Sequence, residues 1–477
     1  MRNIDKFSVE TYNQLLVEYE NNLNENGPYL NIFGIFMHEI MRYLTNYIIL
    51  TTTNMVPTNK FELQFTNQHY IHDLFQLDKK ENPLSQKSVN YPRHLSDFLL
   101  TALNKKALVA YSEYSFGEVL KYLLHNIHKI RANKTNATVC CLPNLSKQID
   151  QLIEYLYYFC GTYCVKNKEA FVNNFIDYLK LFVTSERLKT PEEYYIGGCN
   201  ALLPNRIISA NYLGNNKTVI ALAHGECDIR IFDEPVFGYG EISYCSYYMT
   251  FGSYSSGYSI LNKPLRGHKP IIFQRDSKII RKISKKSPIN EIDQEKSGLY
   301  IPTAFSSNRR YGPFRDLDDN DYVSYQKYIF NSGIKLKYKD HPENRHNSSL
   351  VRQVTTDSNI IHGNLTKIKY NLYGFIVLDY ISTGFFISSS TTLPIIYFNY
   401  GVRNLTEYVM ADIKKRVFWV DIEKKNNIGT QIKQGFNDFF SSKIIYKNTF
   451  SPKYSLNSIT LNEAINSIIK ANPALKT

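Results

Sequence analysis

Three times between residues 300 and 383 an apolar or alternating run ends in a corner of small and polar residues. The corners are Tyr300-Ile301-Pro302-Thr303, Lys339-Asp340-His341-Pro342 and Leu378-Asp379-Tyr380-Ile381-Ser382-Thr383. Each run reads as a strand, and the first and third corners lead into segments able to form helices. Parallel strands need crossover connections, usually helical, so their carboxyl ends collect on one edge of a sheet. Open α/β sheets hold their ligands at that edge. A cation, an imidazole and small hydroxyls gathered there suit a phosphate or pyrophosphate better than an apolar ligand.

The rest of the second half repeats this alternation. A strand over Leu299 to Thr303 precedes a helix from about Asp319 to Phe330, whose first turn is acidic. Strands follow at Ile334 to Tyr338, Gly374 to Leu378, Pro394 to Phe398 and Val417 to Val420, with helices from about Ser382 and over Gln431 to Phe440. The pattern implies a doubly wound sheet. Earlier, Thr218-Val219-Ile220-Ala221-Leu222-Ala223 is a near-continuous apolar run, as a buried parallel strand requires, and it ends at His224-Gly225-Glu226. A glycine-rich stretch, 236–241, leads to another strand at 247–252.

Before about residue 185 the texture is helical. Apolar residues keep helical spacing over 98–103, 119–124, 149–156 and 171–179. The fold expected is therefore α/β with two Rossmann-like domains and a mainly helical N-terminal region. The divisions are 1–185 (helical region), 186–262 (first Rossmann-like domain), 263–297 (basic linker), 298–445 (second Rossmann-like domain) and 446–477 (C-terminal tail or helix). At 477 residues the chain is too long for one ordinary core.

A formal net charge of +13 suits nucleic acid, an anionic membrane face or phosphorylated substrates. From Lys263 to Lys286 nine basic residues face the single acid Asp276. That stretch reads either as a solvated linker or as a dock for an anionic membrane surface, where each basic side chain contributes about 1 kcal/mol. No zinc-finger, RNA-recognition or basic-zipper pattern appears, so no nucleic acid is expected. No apolar run reaches the roughly 18–20 residues of a membrane span, and Met1-Arg2-Asn3-Ile4-Asp5-Lys6 lacks a secretory stretch. The expectation is a cytoplasmic protein, peripheral on the inner face of the membrane if it docks there. Seven cysteines, with Cys140-Cys141 and Cys160 to Cys164 the close groupings, suggest neither a disulfide framework nor a zinc site.

His224, at the end of the best strand of the first half, is the natural general base. Glu226 and Asp228 are the other candidates, and a polar turn is the plain alternative for all three. On the donor side stand Thr303, Lys339, His341, Pro342, Asp379, Ser382 and Thr383. Ser382 and Thr383 open a helix whose amide groups favour an anion, though ordinary capping explains them equally well.

Taken in order, His-Gly, Tyr-x-Pro-Thr, Lys-x-His-Pro and Asp-Tyr-x-Ser resemble the CDP-glycerol glycerophosphotransferases and related capsule and surface-polysaccharide glycosyltransferases. The resemblance covers about residues 190 to 440. The His-Pro element with a later Ser/Thr pair is also similar to transferases that use CMP-sialic acid or CMP-Kdo. The resemblance implies a GT-B fold with its active site between two Rossmann-like domains. It implies His224 as acceptor-activating base, His341 as a donor-phosphate ligand, and Asp379, Ser382 and Thr383 in the donor pocket. It departs at Ala223, where the family has a tryptophan, and at Ile381, where it has a serine. No metal or other cofactor is implied; the CMP- or CDP-linked donor is the substrate, and a glycan or lipid-linked acceptor the partner. Two other classes stay open: a non-enzymatic basic protein that docks on membranes or nucleic acid, and a nucleotide-sugar epimerase on the same fold.

Overall fold

The computed structural model describes residues 3–52, 107–109, 131–132, 139–186, 190, 193–198, 200–223, 225, 228–254, 256–284, 291–305, 319–341, 344, 348–423, 426–442 and 450–471. Its strands, in chain order, are β1 (Ala107–Val109), β2 (Arg131–Ala132), β3 (Cys140–Cys141), β4 (Val183–Thr184), β5 (Tyr194–Gly197), β6 (Thr218–Leu222) and β7 (Tyr247–Phe251). There follow β8 (Ile271–Arg275), β9 (Gly298–Ile301), β10 (Leu336–Lys339), β11 (Ile360–Ile361), β12 (Phe375–Leu378), β13 (Ile395–Asn399) and β14 (Phe418–Asp421).

Two six-stranded sheets result, ordered β2-β1-β5-β6-β7-β8 and β11-β10-β9-β12-β13-β14, and every pairing in both is parallel. The chain is thus α/β with parallel sheets, as the strand–helix alternation predicts. In the second sheet the chain starts centrally at β9, runs outward to β11, then returns to β12 and runs the other way. The crevice of such a sheet opens where this reversal happens, between the carboxyl ends of β9 and β12. In the first sheet the reversal lies between β1 and β5, one strand away from β6.

Burial follows the two-residue period of a strand covered on both faces. Val219 and Ala221 of β6 join the large cluster that contains the N-terminal helices, whereas Ile220 and Leu222 face the opposite side. That opposite side is covered by the last helix, Leu461–Ala471, through Leu461, Ala464, Ile465, Ile468 and Ile469. The helix Leu461–Ala471 therefore packs on the first sheet, although it follows the second in sequence.

Two expected divisions change. The stretch 263–297, read as a basic linker, contains β8 and the helix Lys278–Ser284. β8 pairs with β7 over five residues as the sheet's edge strand. An edge strand exposes one side to water and so tolerates the surrounding charge that disguised it. The helical region 1–185 supplies helices Asn3–Asn21, Met37–Thr52, Leu145–Thr162 and Lys168–Lys180 but also β1 and β2, which complete the first sheet. The helical patterns at 98–103 and 119–124 lie outside the described residues.

The two halves are tied together by main chain as well as side chains. Phe232 and Leu405 form an antiparallel bridge, and the Asp233 amide donates to the Asn404 carbonyl at 3.0 Å. Arg403 pairs with buried Glu234 at 3.2 Å and lies 4.2 Å from the ring centre of Phe232. Among the described residues no helix is long and apolar enough to cross a membrane.

Candidate site at the strand ends

Asp379 follows β12 immediately and is fully buried. The Tyr300 hydroxyl, from β9, donates to its Oδ2, and the Tyr322 hydroxyl, from the helix Asp319–Phe330, donates to its Oδ1 at 3.0 Å. Burial pushes the carboxyl up to about 7, against the pull of those two hydrogen bonds. A carboxylate enclosed in this way cannot touch a donor directly. Asp379, expected to line a donor pocket, is instead enclosed between β9, β12 and the helix Asp319–Phe330.

The same network holds the loop after β9. The Thr303 amide donates to the Tyr322 oxygen at 2.9 Å, so Thr303 is linked to Asp379 through one hydroxyl. Two residues on, the Phe305 amide donates to Asn344 Oδ1 at 3.0 Å, and Asn344 Nδ2 donates to Asp340 at 3.2 Å. Asn344 thereby joins the loops after β9 and β10. Its amide also bonds the His341 carbonyl at 2.9 Å, and His341 is half-buried on this edge. His362, beyond β11, approaches Asp340 at 3.3 Å.

Lys339 is not the open cation that the sequence suggested. It is buried, its ammonium bonds the Asp340 carbonyl, and desolvation lowers its pKa. Ser382 caps the helix Thr383–Ser390, accepting from the Gly384 amide at 3.3 Å. Thr383 is then the first helical residue. A Cβ built on Gly225 would stand 2.7 Å from Thr383 Oγ1. Gly225 lies in the loop after β6, so the ends of β6 and β12 meet across the two halves. Its φ of +90° is open to glycine and strained for other residues.

On the first half, His224 and Glu226 lie outside the described residues, as does Pro342 on the second. Asp228 is described and does not fit a general base. It is fully buried, caps the turn Ile229–Ile231 by accepting from the Arg230 amide at 3.0 Å, and is paired with the Arg230 guanidinium. A carboxylate so committed holds its own loop together and is not poised to take a substrate proton. Of the three residues expected as bases, Asp228 is the one among the described residues, and its contacts do not suit that role.

Sequence reasoning missed Tyr322, Asn344 and the Gly225–Thr383 approach. Tyr322 sits in a helix and Asn344 in a loop, and neither carries a motif. Among the described residues no group of three or more His, Cys, Asp or Glu side chains could hold a metal ion. No protein-family model matches the chain and no curated protein matches it significantly, so what this edge does must be argued from its geometry.

Proposed function

We propose that this chain is a glycosyltransferase-type enzyme with the two-domain GT-B arrangement. It moves a sugar, or a polyol phosphate, from a CMP- or CDP-linked donor to a cell-surface polysaccharide or glycolipid acceptor. The observation that supports this best is the approach of Gly225 to Thr383. It brings the loop after β6 in one parallel sheet against a helix start of the other, beside the β9/β12 reversal where such sheets take nucleotides.

In this reading the donor phosphates lie against His341, Ser382 and Thr383, where a helix amino terminus and an imidazole favour negative charge. His224 takes the proton from an acceptor hydroxyl, with Glu226 as the alternative base. The acceptor oxygen bonds the transferred carbon or phosphorus while the bond to the nucleotide phosphate breaks, and the departing negative charge stays with the donor-side groups. Asp379 and Tyr322 hold the Thr303 loop in place and do not touch the donor. The enzyme works in the cytoplasm, docked on the inner leaflet through its basic stretch when the acceptor is lipid-linked.

Titration with CMP-, CDP-, UDP- and GDP-linked donors tests the reading. At least one cytidine donor should bind, and His341→Ala should weaken that binding or slow turnover about tenfold, since a charge-assisted hydrogen bond contributes about 1.5–3 kcal/mol. His224→Ala should lose about 10²–10⁴-fold in rate while keeping donor affinity. Binding of no nucleotide donor would end the proposal, and an inactive Glu226→Gln beside a near-normal His224→Ala would move the base to the carboxylate.

A further inference from the structure

The acid behind the strand-end edge is itself unusual. Asp379 is enclosed, and among the described residues no lysine, arginine or histidine is ion-paired with it. Two tyrosines bond it, Tyr300 from β9 and Tyr322 from the helix Asp319–Phe330, and three more feel its charge: Tyr338 from β10, and Tyr397 and Tyr400 from β13 and the turn beyond it. The charged groups next out are Asp340, acting on Tyr338, and Arg403 and Asp421, acting on Tyr397. Every one of the five phenols is held above its ordinary value by burial, so each keeps its proton through the neutral range.

The hydrogen bonds have a definite sense. Both carboxylate oxygens accept, from Tyr300 and from Tyr322, and the Tyr322 oxygen accepts from the Thr303 amide. A proton added to Oδ1 would have to be donated to the Tyr322 oxygen, in competition with the Thr303 amide, and the Tyr322 proton would lose its acceptor. A proton added to Oδ2 displaces the Tyr300 proton in the same manner. Either way one buried hydroxyl is left without a partner, a state that costs about 1–3 kcal/mol. Relief comes by letting the loop or the helix move.

We propose that Asp379 is a positioning residue that orders the Thr303 loop when ionised and loosens it when protonated, making the strand-end edge sensitive to pH. Two opposed effects set the working range. Burial favours the proton and the tyrosine hydroxyls favour the carboxylate, and the balance falls at about 7. The proposal rests on the transferase reading only for its consequence, which is tighter donor binding above neutrality than below.

Hydrogen exchange on the full-length protein without any donor tests the device independently. After correction for intrinsic rates, amides at 303–305 should exchange at least about fivefold faster at pH 5.5 than at pH 8, the equivalent of about 1 kcal/mol. Asp379→Asn, which must donate to one of the two tyrosines at every pH, should show fast exchange at both. Tyr322→Phe, which keeps the acid and Tyr300 but removes the acceptor for Thr303, should do likewise and covers the case in which the asparagine variant fails to fold. Equal protection of the wild type at both pH values, or a pH response that survives in both variants, overturns the proposal. If exchange responds as stated and no nucleotide donor binds, the switch stands and the transferase reading falls.

Discussion

Replacing Gly225 by alanine probes a contact that brings the two halves' strand ends together. Two costs add. The first is backbone strain, because a φ of +90° is unfavourable for an L side chain by about 1–2 kcal/mol. The second is overpacking: the new Cβ would stand 2.7 Å from Thr383 Oγ1, and forced repacking of this kind costs about 1–3 kcal/mol. The costs can be separated, because the Thr383 Cβ is 3.9 Å away, an ordinary contact. In a Thr383→Ala background, Gly225→Ala should keep the first cost and lose most of the second. Urea unfolding of the four proteins in this cycle should therefore give a coupling of about 1–3 kcal/mol, with the double variant more stable than the sum of the singles predicts. Thr383→Ala alone should cost little, since Ser382 and not Thr383 supplies the cap. Additivity within about 0.5 kcal/mol would refute the apposition.

Other outcomes follow from the same geometry. Asp228→Ala strands a buried guanidinium and should destabilise by about 3–5 kcal/mol in denaturant unfolding, as should Glu39→Ala opposite the fully buried Arg206. Because the Asp379 pKa is raised from 3.8 to about 7, the stability it lends is present below pH 4 and is lost as pH rises to 7. Wild-type stability should fall by up to about 4 kcal/mol across that window, and Asp379→Asn should flatten the slope in pH-resolved melts. Replacing the exposed Lys263, Lys269, Lys278 and Lys282 by glutamine should weaken binding to anionic vesicles by about 1 kcal/mol per residue. Arg281 is left out because it holds Asp276 and the Asn457 carbonyl. A wild-type protein that ignores such vesicles at low salt would remove the membrane from the scheme.

Most of the second sheet was legible because its inner strands β9, β12 and β13 are largely buried and its corners are chemically sharp, whereas the two-residue β11 carried no signal. The expected strands at 299–303, 334–338, 374–378, 394–398 and 417–420 each overlap an observed one, with ends shifted by two residues at most. Strand ends fray and hydrogen-bond definitions differ by that much. The first sheet was harder. β1 and β2 are three and two residues long, too short for a period-two pattern to rise above its neighbours. β8 was hidden in a run of cations, since the sheet's edge asks for less apolar surface than its middle. That the chain returns from the second half to cover the first with Leu461–Ala471 is a long-range fact, and the amphipathic pattern of a helix does not name the face it will meet.

The site was legible as a set of positions and not as a set of roles. Strand-end residues can be found in sequence because sheet geometry gathers them, but burial decides what each can do there. Lys339, Asp228 and Asp379 were all expected at the site for their charge, and all three are enclosed. Lys339 is turned to a carbonyl, Asp228 is spent on Arg230, and Asp379 faces two phenols. The residues that make the difference are the partners, and those come from other elements: Tyr322 from a helix, Tyr300 from a neighbouring strand. A tyrosine in this chain carries little signal, since there are 38 of them. What distinguishes Tyr300 in hindsight is register. It pairs with Val377, which places its ring beside the strand whose next corner is Asp379. An acid immediately after a buried parallel strand, next to a strand carrying a tyrosine near the same level, is therefore better read as a held acid than as an exposed ligand. By that rule, among the described residues the expected site groups left only partly covered at this edge are His341, Ser382 and Thr383.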